Sequence, residues 1–148
     1  MKVVIGADHG GYNLKMAIKE HLKSKHIEII DVGTESLISC DYPEIVKPLV
    51  EEVKEQNIKG ILVCGTGIGM SITANKYSGI RAALCTDTFS ARMTREHNNS
   101  NILCLGERVI GKGLALDIVD TWLETEFSNL ERHQHRIDLI SEIEKERL

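Results

Sequence analysis

The stretch that decides the fold is Gly-Ile-Leu-Val-Cys-Gly-Thr-Gly-Ile-Gly-Met-Ser, residues 60–71. Its apolar run stops at Cys64, and glycines follow at alternate positions 65, 67 and 69. This pattern predicts a buried strand, a tight turn and a helix that runs to about Lys76. Successive backbone N–H groups in such a turn form a site for an anion. Because open α/β sheets bind ligands beyond the carboxyl ends of their strands, the pattern places Cys64 beside that site.

The rest of the chain alternates apolar runs with amphipathic stretches. Further strands are predicted at 3–5, 28–32, 81–85 and 102–105, with helices at about 12–25, 43–56, 88–97 and 114–127. A last helix runs from Arg132 or His133 to about Glu146. Such alternation is typical of a parallel sheet covered on both faces. We therefore predict an α/β fold, a Rossmann-like three-layer αβα sandwich with a five-stranded parallel sheet and a C-terminal helix, in one domain spanning 1–148.

Right-handed crossovers place the carboxyl end of every strand at one edge of the sheet. Polar residues follow four of the predicted strands and should meet there: Asp8-His9, Cys64-Gly65-Thr66, Thr86-Asp87 and Gly106-Glu107-Arg108.

Composition excludes several classes of protein. The chain has 148 residues, 42% of them hydrophobic, and a net charge of -4, so no basic surface indicates nucleic-acid or membrane binding. No segment approaches the roughly 18 continuous apolar residues of a membrane span, and the N-terminus lacks a signal-peptide layout. The four cysteines show neither C-x-x-C pairing nor zinc-ligand spacing. We expect free thiols and a cytoplasmic location.

Cys64 is the main candidate for a general base or nucleophile. Most cysteines act as small buried hydrophobes, and that alternative fits Cys85 and Cys104, which continue apolar runs. Cys40 has no local signal. Cys64 differs from them because its strand opens directly onto the glycine turn.

The turn Gly65-Thr66-Gly67-Ile68-Gly69 does not match a nucleotide-binding motif. No Gly-Lys-Ser/Thr follows it, and its glycine spacing departs from the dinucleotide fingerprint. Backbone amides without a lysine suit a small oxyanion better than a nucleoside triphosphate.

Two other groups could serve chemistry or structure. Asp8 either caps the next helix or faces the pocket beside Cys64, where His9 could donate to a phosphate or sugar oxygen. His97-Asn98 ends a predicted helix, where a histidine can simply complement the helix dipole.

Four further residues lie in the C-terminal segment. Arg132 and Arg136 form either a phosphate clamp or a solvated face. His133 and His135 lack a third ligand for a metal.

Five motifs follow one another along the chain: Asp8-His9-Gly10-Gly11, Asp41-Tyr42-Pro43, the segment 64–76, Arg95-Glu96-His97-Asn98 and Arg132-His133-Gln134-His135-Arg136. Together they resemble the B-type ribose-5-phosphate isomerases, a family grouped with allose- and galactose-6-phosphate isomerases. The resemblance covers essentially the whole chain.

The resemblance implies that ribose 5-phosphate and ribulose 5-phosphate are interconverted through an enediolate, with no cofactor and no metal. Cys64 would move the proton between C1 and C2, and His97 would help to open the furanose ring, with Asp8 near its oxygens. The amides of residues 65–69, assisted by Thr66, would stabilise the enediolate. The remaining implied contacts are to phosphate (His9, Arg108, Arg132, Arg136) and to the sugar (Tyr42, Asn98).

One branch of the family carries Ser at the cysteine position and uses a Glu early in the following helix. Here Met70 occupies the equivalent place and residues 70–76 contain no acid, which favours Cys64 as the base. Thr73 and His135 also replace side chains common in the family, without disturbing the implied roles.

The resemblance further implies a homodimer whose active sites draw on both chains, with dimers able to pair into tetramers. The isoleucine stripe of the C-terminal helix suits such an interface or an intrachain core equally. Two other functions stay open: the same reaction on allose 6-phosphate or galactose 6-phosphate, and a non-catalytic flavodoxin-like module that holds a nucleotide in the glycine turn.

Overall fold

A computed structural model describes residues 1–146 of the chain. The strands are β1 (Lys2–Ala7), β2 (Glu28–Asp31), β3 (Lys59–Cys64), β4 (Ala82–Leu84) and β5 (Ile102–Gly106). The helices are α1 (Tyr12–Ser24), α2 (Tyr42–Gln56), α3 (Ile68–Ala74), α4 (Thr88–Asn98), α5 (Lys112–Glu124) and α6 (Glu131–Lys145). The predicted α/β architecture, with five strands and a C-terminal helix, is confirmed.

All strand pairs are parallel, and the strand order is β2-β1-β3-β5-β4. Ala7 of β1 pairs with Val63 of β3, and Cys64 pairs with Gly106 of β5. We call the side of the sheet where strands end the carboxyl edge and the side where they begin the amino edge. The register brings the last residues of β1, β3 and β5 level at the carboxyl edge.

Each face of the sheet is covered by its own apolar cluster. On one face, α1, α4 and α5 pack around the fully buried Trp122. On the other face, α2 and α3 pack on side chains of the same strands. The strands β1, β3 and β5 are buried nearly throughout, as expected for central strands of a parallel sheet. Helix α6 packs on α4.

Helix α1 contains a buried charged residue that the sequence pattern did not predict. Leu14, Ile18 and Leu22 form a buried apolar stripe, and Lys15 beside them is 0% exposed. The Lys15 ammonium donates to Asp31 Oδ1 at 2.9 Å and to the carbonyl of Thr34 at 2.5 Å. A buried ammonium requires such partners, so α1 is tied to the end of β2 and the loop that follows.

Three predicted helix bounds are wrong. Helix α3 ends at Ala74 rather than near Lys76, because the amide of Asn75 both donates to and accepts from the backbone of Ala82 in the edge strand β4. Helix α5 starts at Lys112, directly after an extended Gly111, and ends at Glu124, before the extended Thr125. These helix ends depend on side-chain and backbone contacts that residue spacing does not encode.

Candidate active site

Cys64 closes β3 and is 5% exposed. Its Sγ accepts a hydrogen bond from the backbone N–H of Gly67 at 3.0 Å. An N–H dipole aimed at the sulfur stabilises negative charge there. The turn after β3 therefore holds the thiol in one orientation beside a backbone donor.

Only glycine fits at position 67. Its φ of +78° lies in the left-handed region, and an added Cβ would stand 2.6 Å from Leu84 Cδ1 and 2.9 Å from the carbonyl carbon of Leu105. Inside the same turn, the N–H of Ile68 donates to Thr66 Oγ1 at 3.2 Å. Two of the five amides of residues 65–69 thus have partners within the turn.

The tip of β5 braces the turn from the neighbouring strand. The N–H of Glu107 donates to the Cys64 carbonyl at 2.9 Å, and the N–H of Arg108 donates to the Gly65 carbonyl at 3.0 Å. The exposed Arg108 side chain passes along Gly65, with its Nη1 3.3 Å from where a Cβ would stand. The Glu107 carboxylate accepts from the N–H of Leu14 in the first turn of α1.

Asp8 lies at the tip of β1, on the other side of β3. It is buried, and its N–H donates to the Val63 carbonyl at 3.2 Å. Its Oδ1 accepts from the N–H of Gly10 at 2.8 Å. Helix α1 has Gly11 at its N-cap and no side-chain capping bond, so Asp8 shapes the β1–α1 turn rather than capping the helix.

His9 and Tyr42 complete this group at the carboxyl edge. The backbone N–H of Cys40 donates to His9 Nδ1 at 3.2 Å, so a neutral His9 carries its proton on Nε2. The Tyr42 ring lies against Gly69, 2.7 Å from where a Cβ would stand, which explains the glycine there. The contact from Cys40 has no sequence signal, because it depends on the path of the loop between β2 and α2.

His97 and Asn98 end α4, and both are exposed. The helix end is firmly held: Arg95 donates to the carbonyls of Ser100 at 2.5 Å and Thr125 at 3.1 Å. Arg81 donates to the carbonyl of Asn98 at 2.9 Å. This corner of the molecule therefore presents two polar side chains to solvent from a firmly held stretch of backbone.

The first turns of α6 lie against the same corner. Arg132 and Arg136 are exposed and one helical turn apart, as predicted. His133 is buried between them, and its ring centroid lies 4.4 Å from that of His97. Burial, followed by the charges of His97 and the two arginines, lowers the pKa of His133.

These two groups of residues lie at opposite edges of the sheet. Helix α4 follows β4 and precedes β5, so it runs antiparallel to the strands and ends at the amino edge. The strand β5 alone, from Ile102 to Gly106, separates the edges by about 13 Å at the rise of a β-strand. The structure thus brings together Asp8, His9, Tyr42, Cys64, the turn 65–69 and Arg108. It places His97, Asn98, Arg132 and Arg136 together elsewhere.

The other cysteines are structural or peripheral. Burial raises the pKa of Cys85 to about 11, with Asp87 adding to the effect, and burial also raises the pKa of Cys104. Both remain thiols in the core, as predicted. Within residues 1–146, no cluster of three or more His, Cys, Asp or Glu could hold a metal, and no helix is long and apolar enough to cross a membrane.

Proteins of known class resemble this chain in sequence and in fold. A family model described as Ribose/Galactose Isomerase matches residues 3–140. Ribose-5-phosphate isomerase B of Escherichia coli strain K12 is 44% identical over 147 residues, covering 99% of this chain and 98% of its own. The solved Clostridium thermocellum ribose-5-phosphate isomerase B is 56% identical with a TM-score of 0.96, covering 99% of each chain.

A Mycoplasma genitalium ribose-5-phosphate isomerase B, solved with bound ribulose 5-phosphate, is 39% identical with a TM-score of 0.92 and covers 98% of this chain and 97% of its own. Fold and sequence together define an α/β isomerase. The chain belongs to the ribose/galactose isomerase family. That membership goes against the non-catalytic nucleotide-binding alternative.

Proposed function

We propose that the protein interconverts D-ribose 5-phosphate and D-ribulose 5-phosphate through an enediolate, without a cofactor or metal. The observation that carries the proposal is the thiol of Cys64, held at the carboxyl edge with the Gly67 N–H on its sulfur. Relatives that match the chain over its full length are ribose-5-phosphate isomerases B. Residues 1–148 would act as one isomerase domain.

The proton transfer itself needs one base and a site for negative charge. Cys64 as thiolate removes the proton from C2 of the aldose, whose C1 carbonyl oxygen takes the negative charge. The hydroxyl proton of O2 then passes to O1, and the same thiol returns the carbon proton to C1, which leaves the C2 carbonyl of the ketose. Backbone N–H groups of the turn at Gly65, Thr66 and Gly69, with the Thr66 hydroxyl, are the proposed donors to the enediolate.

Ribose 5-phosphate closes into a furanose, so its ring must open before the proton moves. We assign this step to His97, with Asp8 near the ring oxygen and hydroxyls. Asn98 and Tyr42 would line the sugar. The exposure of His97 at a rigid helix end supports a role toward a molecule outside its own core.

The phosphate is assigned to four cationic or donor side chains. The Cys40 N–H on Nδ1 leaves His9 Nε2–H as a donor, and Arg108 lies beside the turn at Gly65. Arg132 and Arg136 would add charge-assisted hydrogen bonds from α6, each contributing about 1.5–3 kcal/mol. The phosphate thereby orients the sugar without taking part in the chemistry.

Because these assignments draw on both edges of the sheet, a complete site requires two copies of the chain. In a two-fold dimer, His97, Asn98, Arg132 and Arg136 of one copy would reach the carboxyl edge of the other. An exposed apolar surface borders the turn and supports such contact: Ile68, Ile72 and Leu84 are 51%, 57% and 37% exposed.

On α6, Ile140 and Ile143 are exposed while Ile137 is buried, so the isoleucine stripe contributes to both the core and the surface. Such dimers could pair into tetramers.

The same chemistry on a six-carbon sugar phosphate is the second candidate, favoured by the family's inclusion of galactose isomerases. Substrate length would decide between the two. All four cysteines are unpaired, which supports a reducing compartment such as the cytoplasm.

The test compares the native protein with Cys64→Ala on ribose 5-phosphate, allose 6-phosphate and galactose 6-phosphate. Turnover of ribose 5-phosphate should fall by about 10²-fold or more while binding is retained. Cys40→Ala, which keeps the backbone N–H on His9, is the matched control and should retain turnover. Substantial activity in Cys64→Ala would remove the assigned base, and a higher kcat/KM on a six-carbon sugar would overturn the assigned substrate.

A further inference from the structure

His133 is a buried histidine that none of the roles above uses. It is 5% exposed and lies in the first turn of α6. Its imidazole packs on the imidazole of His97, with ring centroids 4.4 Å apart and ring planes tilted by 40°. One face of the ring proposed to open the sugar is therefore covered by a second aromatic ring.

His133 is itself held by the segment that leads into α6. Its Nδ1 lies 2.6 Å from Ser128 Oγ, and the same Oγ accepts from the N–H of Leu130 at 3.2 Å. The N–H of Ser128 donates to the carbonyl of Glu96, the residue before His97, at 3.2 Å. Both imidazoles are therefore held at the same turn of α4.

Burial and the positive charges around His133 favour its neutral form. Burial is the largest cause that lowers its pKa, and His97, Arg132 and Arg136 act in the same direction. Glu96 is the one charge acting the opposite way, and its effect is the smallest of these. A neutral ring can pack on His97 without placing another positive charge beside two arginines.

We propose that His133 is a positioning residue for sugar-ring opening, holding the His97 imidazole in one orientation through the contact between the two rings. The inference rests on the proposed role of His97. His97 is exposed and lies at a helix end, where a side chain without packing would sample several rotamers. The ring of His133 restricts that freedom, so that the imidazole meets the substrate already oriented.

The test separates ring opening from proton transfer. Ribulose 5-phosphate is open-chain, because its C5 oxygen carries the phosphate and cannot close a ring. Exchange of its C1 proton with deuterium in D₂O therefore needs Cys64 but no ring opening. Turnover of ribose 5-phosphate needs both. We would measure both rates for His133→Asn, which removes the ring, and His133→Phe, which keeps one. His135→Asn, an exposed change on the same helix, is the control.

His133→Asn should lower turnover of ribose 5-phosphate about tenfold or more, a part of the usual contribution of an acid–base group. Its deuterium exchange should stay within about twofold of the native rate, since Cys64 is untouched. His133→Phe should recover most of the turnover. A parallel fall in both rates, unchanged turnover, or a His133→Phe as slow as His133→Asn would each overturn the inference.

His97→Asn, measured in the same way, separates this inference from the proposed function. If it spares exchange and lowers turnover while His133→Asn does not, the role of His97 holds and that of His133 fails. If His97→Asn does not separate the two rates, the proposed ring-opening assignment fails first.

Discussion

Cys64 and His97 lie at opposite edges of the same sheet, Cys64 at the end of β3 and His97 at the end of α4 just before β5 begins. About 13 Å of strand separates these edges within one chain. A single chain therefore offers the proposed base and the proposed ring-opening group to different regions of solvent. An enzyme that uses both on one sugar must bring a second copy of the chain to the site.

The arginines of α6 should affect binding rather than chemistry. Arg132→Ala and Arg136→Ala are each expected to raise KM for ribose 5-phosphate by about tenfold or more, since each removes a charge-assisted hydrogen bond to phosphate. The kcat should change little. Arg92→Ala, an exposed arginine on α4, is the control in steady-state kinetics. Unchanged KM in both variants would mean that these arginines are only a solvated face.

The turn after Cys64 should tolerate no side chain at position 67. Gly67→Ala places a methyl group against Leu84 and Leu105 at a positive φ, so the N–H that contacts the Cys64 sulfur must move. We expect kcat to fall about tenfold or more and the free energy of unfolding to fall by about 1–3 kcal/mol.

Gly79→Ala provides the matched control for this prediction. Its φ is +80°, but an added Cβ would meet open space. Gly79→Ala should lower the free energy of unfolding by about 1 kcal/mol, the cost of a side chain at a positive φ. Its kcat should be unchanged. If both variants keep native kcat, the orientation of the turn at Gly67 does not matter for catalysis.

The buried ammonium of Lys15 should matter for stability. Lys15→Met removes the ammonium that donates to the Thr34 carbonyl and leaves Asp31 Oδ1 with the Gly33 N–H as its remaining donor. We expect urea unfolding to show a loss of about 3 kcal/mol. Lys19→Met removes the more exposed partner of the same carboxylate and should cost about 1 kcal/mol or less. Equal losses would contradict a special role for the buried donor.

Asp31 should make stability depend on acid pH. Burial raises the pKa of its carboxyl, but hydrogen bonds from Lys19, the Gly33 N–H and Lys15 outweigh burial and leave the pKa below its ordinary value. The folded state therefore binds this proton less readily than the unfolded chain. The resulting stabilisation is present above the unfolded pKa, about 4, and is lost as the pH falls through the lower folded value.

Asp31→Asn removes that titration. In urea unfolding at a series of pH values, the difference in free energy between native protein and Asp31→Asn should be greatest near pH 6 to 7 and should shrink below about pH 4. A difference that stays constant down to pH 2 would show that the pKa of Asp31 is the same in the folded and unfolded states.

Much of the fold could be predicted from the sequence because local patterns determine it. The alternation of apolar runs and amphipathic stretches predicted all five strands and the sheet they form. The segment 60–71 predicted the β3–turn–α3 unit around Cys64. Errors arose where a side chain competes with the backbone, as at Asn75, whose amide pairs with β4 and ends α3 early.

The site was harder to predict than the fold, because many of its contacts join residues that lie far apart in the sequence. Strand tips share an edge by rule, so Asp8, Cys64 and Arg108 could be grouped from the order of strands and helices alone. The support of His9 by Cys40, and of His97 by His133, depends on loop paths and helix packing between segments about 30 residues apart or more. The burial of Lys15 was missed for the same reason, since its partners lie on β2 and in the loop after it.

The most direct measurement mixes two inactive variants. Cys64→Ala and His97→Asn are each expected to be inactive on ribose 5-phosphate as homodimers. In a mixed dimer, one site combines the intact Cys64 of one copy with the intact His97 of the other. Unfolding and refolding the variants together in equal amounts should restore about a quarter of native activity, because half of the dimers are mixed and each has one working site. No recovery, with mixed dimers demonstrated by mass spectrometry, would contradict a site shared between two copies.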